Sequence, residues 1–254
     1  MRTCNRQKQR GVTITAIVCA HNEAGYLAPC LHSLLAQTRP PDEILVINNA
    51  SSDATGAVAR SVPGVRVIDE PTKGLVVARE TARCSATGDI LAYLDADCRA
   101  TLRWLERVEQ RFVRQPTVVA VTGPYRFYDW DRLGSALVRA YDYVVAPPTH
   151  ALLHWCLGMG AILYGGNFAV RRHALAEIGG FDCSIEFHGE DTNLGRRLTP
   201  IGGVTIARDC WIWTSSRRYR AMGKSRVFGL YIRNFWSETL KHRPADRDHL
   251  DVRL

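Results

Sequence analysis

The sequence predicts an α/β fold in which helices cover both faces of an open sheet with a parallel core. Short apolar runs alternate with amphipathic helical stretches through the first half of the chain, which is the pattern of a sheet built from strand–helix–strand units. The 254 residues are 46% hydrophobic and 23% charged, so the chain can bury the core of one large globular domain.

The first half supplies four strands and three helices. Strands are predicted at the apolar runs ITAIVCA (14–20), EILVIN (43–48), VRVID (65–69) and DILAYLD (89–95). The connecting helices are predicted over roughly residues 24–37, from SSDATGAVARS onward, and in KGLVVARETARCSA. Ligands of such sheets bind beyond the carboxyl ends of the strands, which makes those ends the first place to look for a site.

The second half is less regular. Strands are predicted at VVAVTGPYRFYD, NFAVRR and GGVTIARDCWIW. HALAEIG predicts a short helix that ends at Gly179–Gly180, FHGEDTNLGRRL a helix that begins at Glu190 and Asp191, and residues 223–241 a terminal helix. We expect the apolar stretch from Tyr143 to Gly166 to be a buried helix with the connection before it, in preference to an apolar acceptor channel or a membrane-facing surface. We treat residues 1–254 as one domain, with a first half (12–98), a second half (99–222) and a basic helical tail (223–254).

Acidic and amide side chains follow each of the first four strands. The sequence AHNE places His21, Asn22 and Glu23 at the first end, INNASSD places Asn49 and Asp53 at the second, and DEP follows the third. The fourth strand ends in Asp95, Ala96 and Asp97, where two carboxylates on one face of an extended backbone repel unless a cation neutralises them. Mg²⁺ or Mn²⁺ suits such oxygen ligands, whereas the simpler alternative is that one aspartate caps the helix starting near Thr101.

Composition limits the other classes of function. No phosphate-binding loop of the G-x-x-x-x-G-K-[ST] or G-x-G-x-x-G type follows a strand, which argues against an ATPase or a dinucleotide dehydrogenase. The eight cysteines form no C-x-x-C pair, which argues against a zinc site and for a reducing, cytoplasmic location. No signal peptide and no transmembrane helix is predicted.

The net charge of +8 arises entirely in residues 196–254, which hold 13 Lys/Arg and 5 Asp/Glu.

Five motifs together resemble a known family. VCAHNEAGYLAPCLHSLLAQT, ILVINNASSDAT, AYLDADC, GGNFAVRRHALAEIGGFD and GEDTNLGRRL follow one another in the order and spacing of the inverting glycosyltransferases of family 2. The resemblance covers about residues 12–220. It implies a GT-A fold, which is a Rossmann-like, open, twisted, mixed β-sheet with helices on both faces.

The resemblance also implies roles for individual residues. A nucleotide-sugar donor would contact the first half, and Asp97, with Asp95, would hold Mg²⁺ or Mn²⁺ against its diphosphate. Asp191 would be the general base, and Glu190 would orient the acceptor or cap the helix. The remaining donor-site residues implied are His21, Asn22, Glu23, Asn49, Asp53, Ala96, Gly166, Asn167, Arg217 and Arg218. His188 and His242 are further candidates for metal ligands, although a lone histidine is more often structural.

Two departures from the family pattern shape the expected reaction. The second strand ends in Asn48–Asn49 where the family usually has two aspartates, which leaves the donor base open, with a uridine sugar as the first expectation. The Q-x-x-R-W motif of processive members is absent, so we expect addition of a single sugar to a glycan or lipid-linked acceptor.

The basic end of the chain suggests peripheral contact with the inner face of a membrane rather than with nucleic acid. The alternatives are an inactive GT-A-like domain that binds a nucleotide or a partner, and a sugar-1-phosphate nucleotidylyltransferase.

Overall fold

A computed structural model describes residues 11–185, 188–243 and 245 of the chain. The strands are β1 (Ile14–Ala20), β2 (Glu43–Asn49), β3 (Val65–Glu70), β4 (Ile90–Asp95), β5 (Arg99–Ala100), β6 (Val118–Thr122), β7 (Tyr125–Phe127), β8 (Asn167–Arg171), β9 (Gly203–Ile206) and β10 (Ile212–Thr214). The helices are α1 (Ala24–Leu35), α2 (Thr55–Ser61), α3 (Leu75–Ser85), α4 (Trp104–Arg114), α5 (Arg132–Ala140), α6 (Ala146–His150), α7 (Arg172–Glu177), α8 (Glu190–Leu198), α9 (Arg217–Met222) and α10 (Lys224–Lys241). Two π-helical segments, π1 (Tyr141–Val145) and π2 (Ala151–Cys156), flank α6.

Seven strands form one mixed sheet in the order β3-β2-β1-β4-β8-β6-β9. The first four are parallel, as predicted, and β8 runs antiparallel to both of its neighbours. Cys19 of β1 lies opposite Asp95 of β4, and Ala20 lies opposite Asn48 of β2. The register therefore brings the carboxyl ends of these strands to one edge, where the polar side chains were expected.

The alternation of side chains along β1 builds a core on each face of this sheet. Ile14, Ala16 and Val18 pack with buried residues of α1 and α4 on one side. Ile17 packs on the other side with residues of β2 and α3. Since neighbouring side chains of a strand point to opposite faces, a fully apolar strand requires helices on both faces.

Two predicted strands in the second half are each divided by a turn. VVAVTGPYRFYD forms β6 and β7, and GGVTIARDCWIW forms β9 and β10, so that β7 and β10 join β5 in a separate three-stranded sheet. Pro124 lacks an N–H for the ladder, and a Cβ at Gly123 would overlap the Cys210 carbonyl. The turn at these two residues directs the chain into the second sheet.

The expectation of a buried helix within residues 143–166 is wrong. The segment from α5 to π2 is helical up to Cys156, but Val144 and Trp155 are 69% and 62% exposed. Exposed apolar side chains recur along one stripe, at Leu133, Leu137, Tyr141, Val144, Val145, Leu152 and Trp155. This stripe is an apolar helical surface rather than part of the core. Among the described residues, no helix combines the length and hydropathy needed to cross a bilayer.

The Asn167 side chain faces the interior of the protein. Its Nδ2 donates to the carbonyls of Gly123 and Cys210, both at 2.9 Å, and its Oδ1 accepts from the Trp104 indole N–H at 2.9 Å. With Asn167 only 1% exposed, one amide joins β8, the turn before β7, the turn before β10 and α4.

Replacing Asn167 by alanine should therefore destabilise the fold. Asn167→Ala leaves two buried carbonyls and one buried indole N–H without these hydrogen bonds, so the free energy of unfolding should fall by about 3 kcal/mol. Urea denaturation measures this value. Gln115→Ala, which removes an exposed amide, is the control and should change stability by less than about 0.5 kcal/mol. Equal small effects of both substitutions would contradict the structural role of Asn167.

Candidate active site

A cavity of about 580 Å³ opens beyond the carboxyl end of β4. Its lining includes residues from the end of β4, the N-terminus of α8, residues 162–166, π1, α9 and α10. Of the site residues predicted from the sequence, the cavity brings together Glu23, Asp95, Ala96, Asp97, Gly166, His188, Glu190, Asp191, Arg217 and Arg218.

The two aspartates that follow β4 reach the cavity by different routes. Asp95 is the last residue of the strand, whereas Asp97 lies in a turn closed by a hydrogen bond from Cys98 N to Asp95 O at 3.0 Å. The expectation that both project from one extended strand is therefore wrong, although both carboxylates line the cavity. Neither caps α4, whose first turn has no side-chain cap.

Arg217 joins two acidic residues from different parts of the chain. Its guanidinium makes a two-point contact with Glu23, and its Nε lies 2.9 Å from Asp97 Oδ2. Burial raises the pKa of Asp97, and the charge of Arg217 opposes that shift. This arrangement shows that the end of β1, the turn after β4 and the start of α9 form one charged cluster.

Glu190 and Asp191 begin α8, where the positive end of the helix dipole favours their charge. Gly189 precedes them in the left-handed region at φ 86°, a conformation that few other residues adopt. Asp191 Oδ1 accepts from the Thr192 N–H at 2.7 Å. Burial raises the pKa of both carboxyls, and the negative charge of Asp191 raises that of Glu190 further. One group of this pair can thus hold a proton near neutral pH.

Arg79 is a residue of this site that the sequence patterns did not predict. It is 2% exposed, and its guanidinium donates to Glu190 Oε1 at 3.1 Å and to the Gly165 carbonyl at 2.5 Å. Its Nη2 also lies 3.7 Å from Asp95 Oδ1. The available signal was its position in α3, because Val76, Arg79 and Ala82 are three residues apart and share the buried face.

Four predicted donor-site residues lie outside the cavity wall, in the loops around the ends of β1 and β2. The His21 ring bonds the Asn49 carbonyl at 2.7 Å, and Asn22, at φ 52°, accepts from the Ser52 N–H. Asn49 donates to Thr72 O and accepts from Gly74 N, which anchors the loop before α3. Asp53 accepts from the N–H groups of Ala24 and Thr55, near the starts of α1 and α2. Their roles in nucleotide binding stay predictions.

Of the remaining predicted residues, Gly166, Arg218 and His188 line the cavity, whereas Asn167 and His242 do not. A Cβ at Gly166 would overlap the Asp95 carboxylate, so glycine is needed for this close approach. Asn167 is directed inward and does not line the cavity, whereas Arg218 does and bonds Tyr231 at 3.1 Å. His188 also lines the cavity, but His242 lies exposed at the end of α10.

The residues present suit a divalent cation bound together with an anionic ligand. Six carboxylates (Glu23, Asp95, Asp97, Asp142, Glu190 and Asp191) and three guanidinium groups (Arg79, Arg217 and Arg218) line the cavity. In the fully ionised form the carboxylates are in excess by three charges. Among the described residues, no three His, Cys, Asp or Glu side chains form a cluster that could hold a metal ion alone. A ligand that supplied oxygen atoms of its own would complete the coordination.

Removing Arg79 should destabilise the protein in a pH-dependent way. In Arg79→Met, Glu190 loses its buried partner, so its pKa in the folded state rises further above the unfolded value. Stability is then lost as pH rises through the folded pKa, and the penalty of about 3 kcal/mol should be larger at about pH 8.5 than at about pH 5.5.

Urea denaturation at both pH values measures this difference. Arg83→Met is the control, because Arg83 is on the same helix and pairs with Glu80 in a half-buried position. It should cost about 1 kcal/mol or less at both pH values. A penalty for Arg79→Met that does not grow with pH would contradict the ion-pair network.

Comparison with known proteins agrees with the motifs and the fold. The chain is 28% identical over 204 residues to the glycosyltransferase AglE of Haloferax volcanii, an alignment that spans 77% of this chain and 64% of AglE. It therefore spans less than two thirds of that relative.

Two solved structures share the fold with a TM-score of 0.63. They are the mannosyltransferase PcManGT of Pyrobaculum calidifontis, determined with GDP-Man and Mn²⁺ (24% identity; 89% of this chain and 65% of that chain), and TarS of S. aureus, residues 1–349 (17% identity; 87% and 66%). The predicted GT-A fold is confirmed by these likenesses. The family model for glycosyl transferase family 2 matches residues 15–179. The chain belongs to glycosyl transferase family 2.

Proposed function

We propose that this protein transfers a sugar from a nucleotide-sugar donor to a hydroxyl group of an acceptor, with inversion at the anomeric carbon. The observation that supports this most strongly is the convergence of Asp95 and Asp97 with Glu190 and Asp191 in one cavity. Membership of family 2 supports the same reaction. We assign donor binding to residues 12–98 and acceptor binding to residues 99–222.

A single displacement with inversion needs one base near the acceptor hydroxyl. Asp191 is the base in this proposal, because burial raises its pKa and makes it a stronger proton acceptor than an exposed carboxylate. Arg79 holds the neighbouring Glu190 in place and limits the build-up of charge. Glu190 orients the acceptor, and Arg217 and Arg218 stabilise the negative charge of the departing nucleoside diphosphate.

Mg²⁺ or Mn²⁺ is the proposed cofactor, with Asp97 and Asp95 as its ligands on this chain. When bound, the ion supplies Lewis-acid stabilisation of the leaving diphosphate. The excess of carboxylates in the cavity supports this assignment. The PcManGT structure of similar fold was determined with Mn²⁺, which also supports a divalent ion here. Asp97 Oδ2 contacts Arg217, so an ion bound at Asp97 would compete with Arg217 for this carboxylate.

A uridine nucleotide sugar is the first donor to test, and GDP-mannose, which PcManGT binds, is the second. We propose that each turnover adds one sugar, because the Q-x-x-R-W motif is absent from the sequence. The acceptor is a glycan or a lipid-linked molecule, which agrees with the apolar helices around the cavity.

We also propose that the apolar helical surface contacts an anionic membrane. Between Ala140 and Met159 the only Asp, Glu, Lys or Arg residue is Asp142, and it is buried together with His150 and His154, so the exposed side of this segment carries no acidic or basic side chain. On α10, Phe235 packs against the buried cluster of Ala146, Ile162 and Tyr164, and Ile232 and Trp236 line the cavity.

The charge of α10 supports an anionic partner. Its exposed charged residues (Lys224, Arg226, Arg233 and Lys241) are all basic, and its single acid, Glu238, is fully buried. Apolar side chains beside basic ones are typical of helices that lie at the surface of an anionic bilayer. The proposed location is therefore the cytoplasmic face of a membrane.

Substitution of the apolar helical surface should weaken vesicle binding. Val144→Glu combined with Leu152→Glu places two negative charges on this surface and should lower affinity for phosphatidylglycerol vesicles at least about tenfold. Leu102→Glu with Val113→Glu is a matched control, since these residues are similarly exposed on and next to α4. Co-sedimentation measures the affinity. Equal losses in both double variants, or no binding by the unmodified protein at low salt, would exclude this surface.

The test of the proposed reaction is donor hydrolysis, since transferases slowly pass a sugar to water. A panel of nucleotide sugars is incubated with and without Mn²⁺, and released nucleoside diphosphate is measured. We expect release from one donor to need the metal and to fall at least about a hundredfold in Asp97→Ala and Asp191→Asn. Asp209→Asn, which removes a carboxylate paired with Arg111 outside the cavity, should leave the rate unchanged.

The other outcomes identify the alternatives. Metal-assisted binding of a nucleotide without any turnover would favour an inactive binding domain. Pyrophosphate release from a nucleoside triphosphate and a sugar phosphate would favour a nucleotidylyltransferase. Neither binding nor turnover with any donor would overturn the proposal.

A further inference from the structure

Asp142 is a buried carboxylate in the cavity wall for which the reaction above has no use. It is 2% exposed, and its Oδ1 accepts a hydrogen bond from the Tyr164 hydroxyl at 2.6 Å. Its Oδ2 has no hydrogen-bond partner among the described residues. Burial raises the pKa of Asp142 to about 6.

This arrangement costs stability. A buried carboxylate oxygen without a donor loses its hydration and gains nothing in return. An asparagine of nearly the same shape could keep the bond with Tyr164 without the charge. Buried polar groups without a hydrogen-bond partner occur mainly at functional sites, where a ligand supplies the missing partner.

The position of Asp142 connects it with the proposed reaction centre. Tyr164 packs edge-on against Tyr125, with ring centroids 5.5 Å apart, and the Tyr125 hydroxyl accepts from the Gly166 N–H at 2.6 Å. Gly166 in turn lies against the Asp95 carboxylate. Asp142 also belongs to π1, and π-helical turns interrupt helices frequently at functional sites.

The surroundings of Asp142 are aromatic. Tyr141, Tyr219 and Phe235 line the same cavity. Aromatic rings next to a carboxylate that can accept hydrogen bonds suit a ligand with both C–H surfaces and hydroxyl groups. Sugars and other polyols have both. A simple alcohol has only the hydroxyl that reacts and would leave Asp142 Oδ2 unpaired.

We propose that Asp142 binds a second, non-reacting hydroxyl of the acceptor, and that the acceptor is a sugar or another polyol rather than a simple alcohol. The proposal rests on the proposed function, because it takes the cavity as the acceptor site. Asp142 accepts a hydrogen bond from this hydroxyl, and no proton is transferred to or from it. It therefore binds and orients the acceptor without taking part in the chemical step. The apolar helices at the same cavity accommodate an alkyl group attached to this polyol.

The test compares ligands that differ only in the polyol. Binding of n-octyl β-glucoside, n-octyl β-galactoside and n-octyl α-mannoside is measured by calorimetry below their micelle concentrations, with n-octanol as the reference. We expect at least one glycoside to bind the unmodified protein about tenfold or more tightly than n-octanol, and Asp142→Asn to remove most of this difference. No turnover is needed, so the result is independent of whether donor hydrolysis succeeds.

Stability separates a binding role from a structural one. Asp142→Asn removes a buried charge and should leave the free energy of unfolding equal or higher. Asp129→Asn is the control, because both oxygens of Asp129 have partners at Ser215, Ser216 and Arg220. It should lower stability and leave the preference for glycosides unchanged. Loss of stability in Asp142→Asn with an unchanged preference, or no glycoside preferred over n-octanol, would overturn the proposal.

Discussion

The buried guanidinium group of Arg79 is the interaction on which this site depends. It contacts Glu190 at the start of α8, the Gly165 carbonyl before β8 and, at longer range, Asp95 at the end of β4. These residues come from distant parts of the chain, and the Glu190 and Asp95 carboxylates repel each other. A cation fixed at their centre allows Glu190 and Asp191 to remain buried next to each other at a tolerable cost.

The sheet explains why the charges gather here. Parallel strands β1, β2 and β4 end at one edge, and the register places Cys19 beside Asp95. The antiparallel strand β8 then brings Gly166 against the Asp95 carboxylate, where only a glycine fits. Arg217 joins the cluster from α9 by bridging Glu23 and Asp97. The fold thus concentrates negative charge at a single opening, which suits a metal and a diphosphate that arrive together.

Local sequence patterns predicted the features that depend on neighbouring residues. The strands β1 to β4 and the start of α8 at Glu190 follow from apolar runs and short-range spacing. Tertiary features were missed because no local pattern encodes them. The burial of Arg79 depends on partners 86 and 111 residues away, and Asn167 is directed inward by contacts with α4 and two turns. The apolar segment after α5 was placed in the core, since composition cannot distinguish a buried helix from an exposed apolar one.

We propose that Asp95 and Asp97, after β4, hold a divalent metal against a nucleoside diphosphate, and that the metal competes with Arg217 for Asp97. The most direct measurement is an anomalous difference map from crystals grown with Mn²⁺ and the nucleoside diphosphate of the active donor. We expect a manganese peak between the diphosphate and the Asp97 carboxylate, with Arg217 turned toward the phosphates. A diphosphate bound away from Asp97, or an unchanged Arg217–Asp97 contact with no manganese peak, would contradict it.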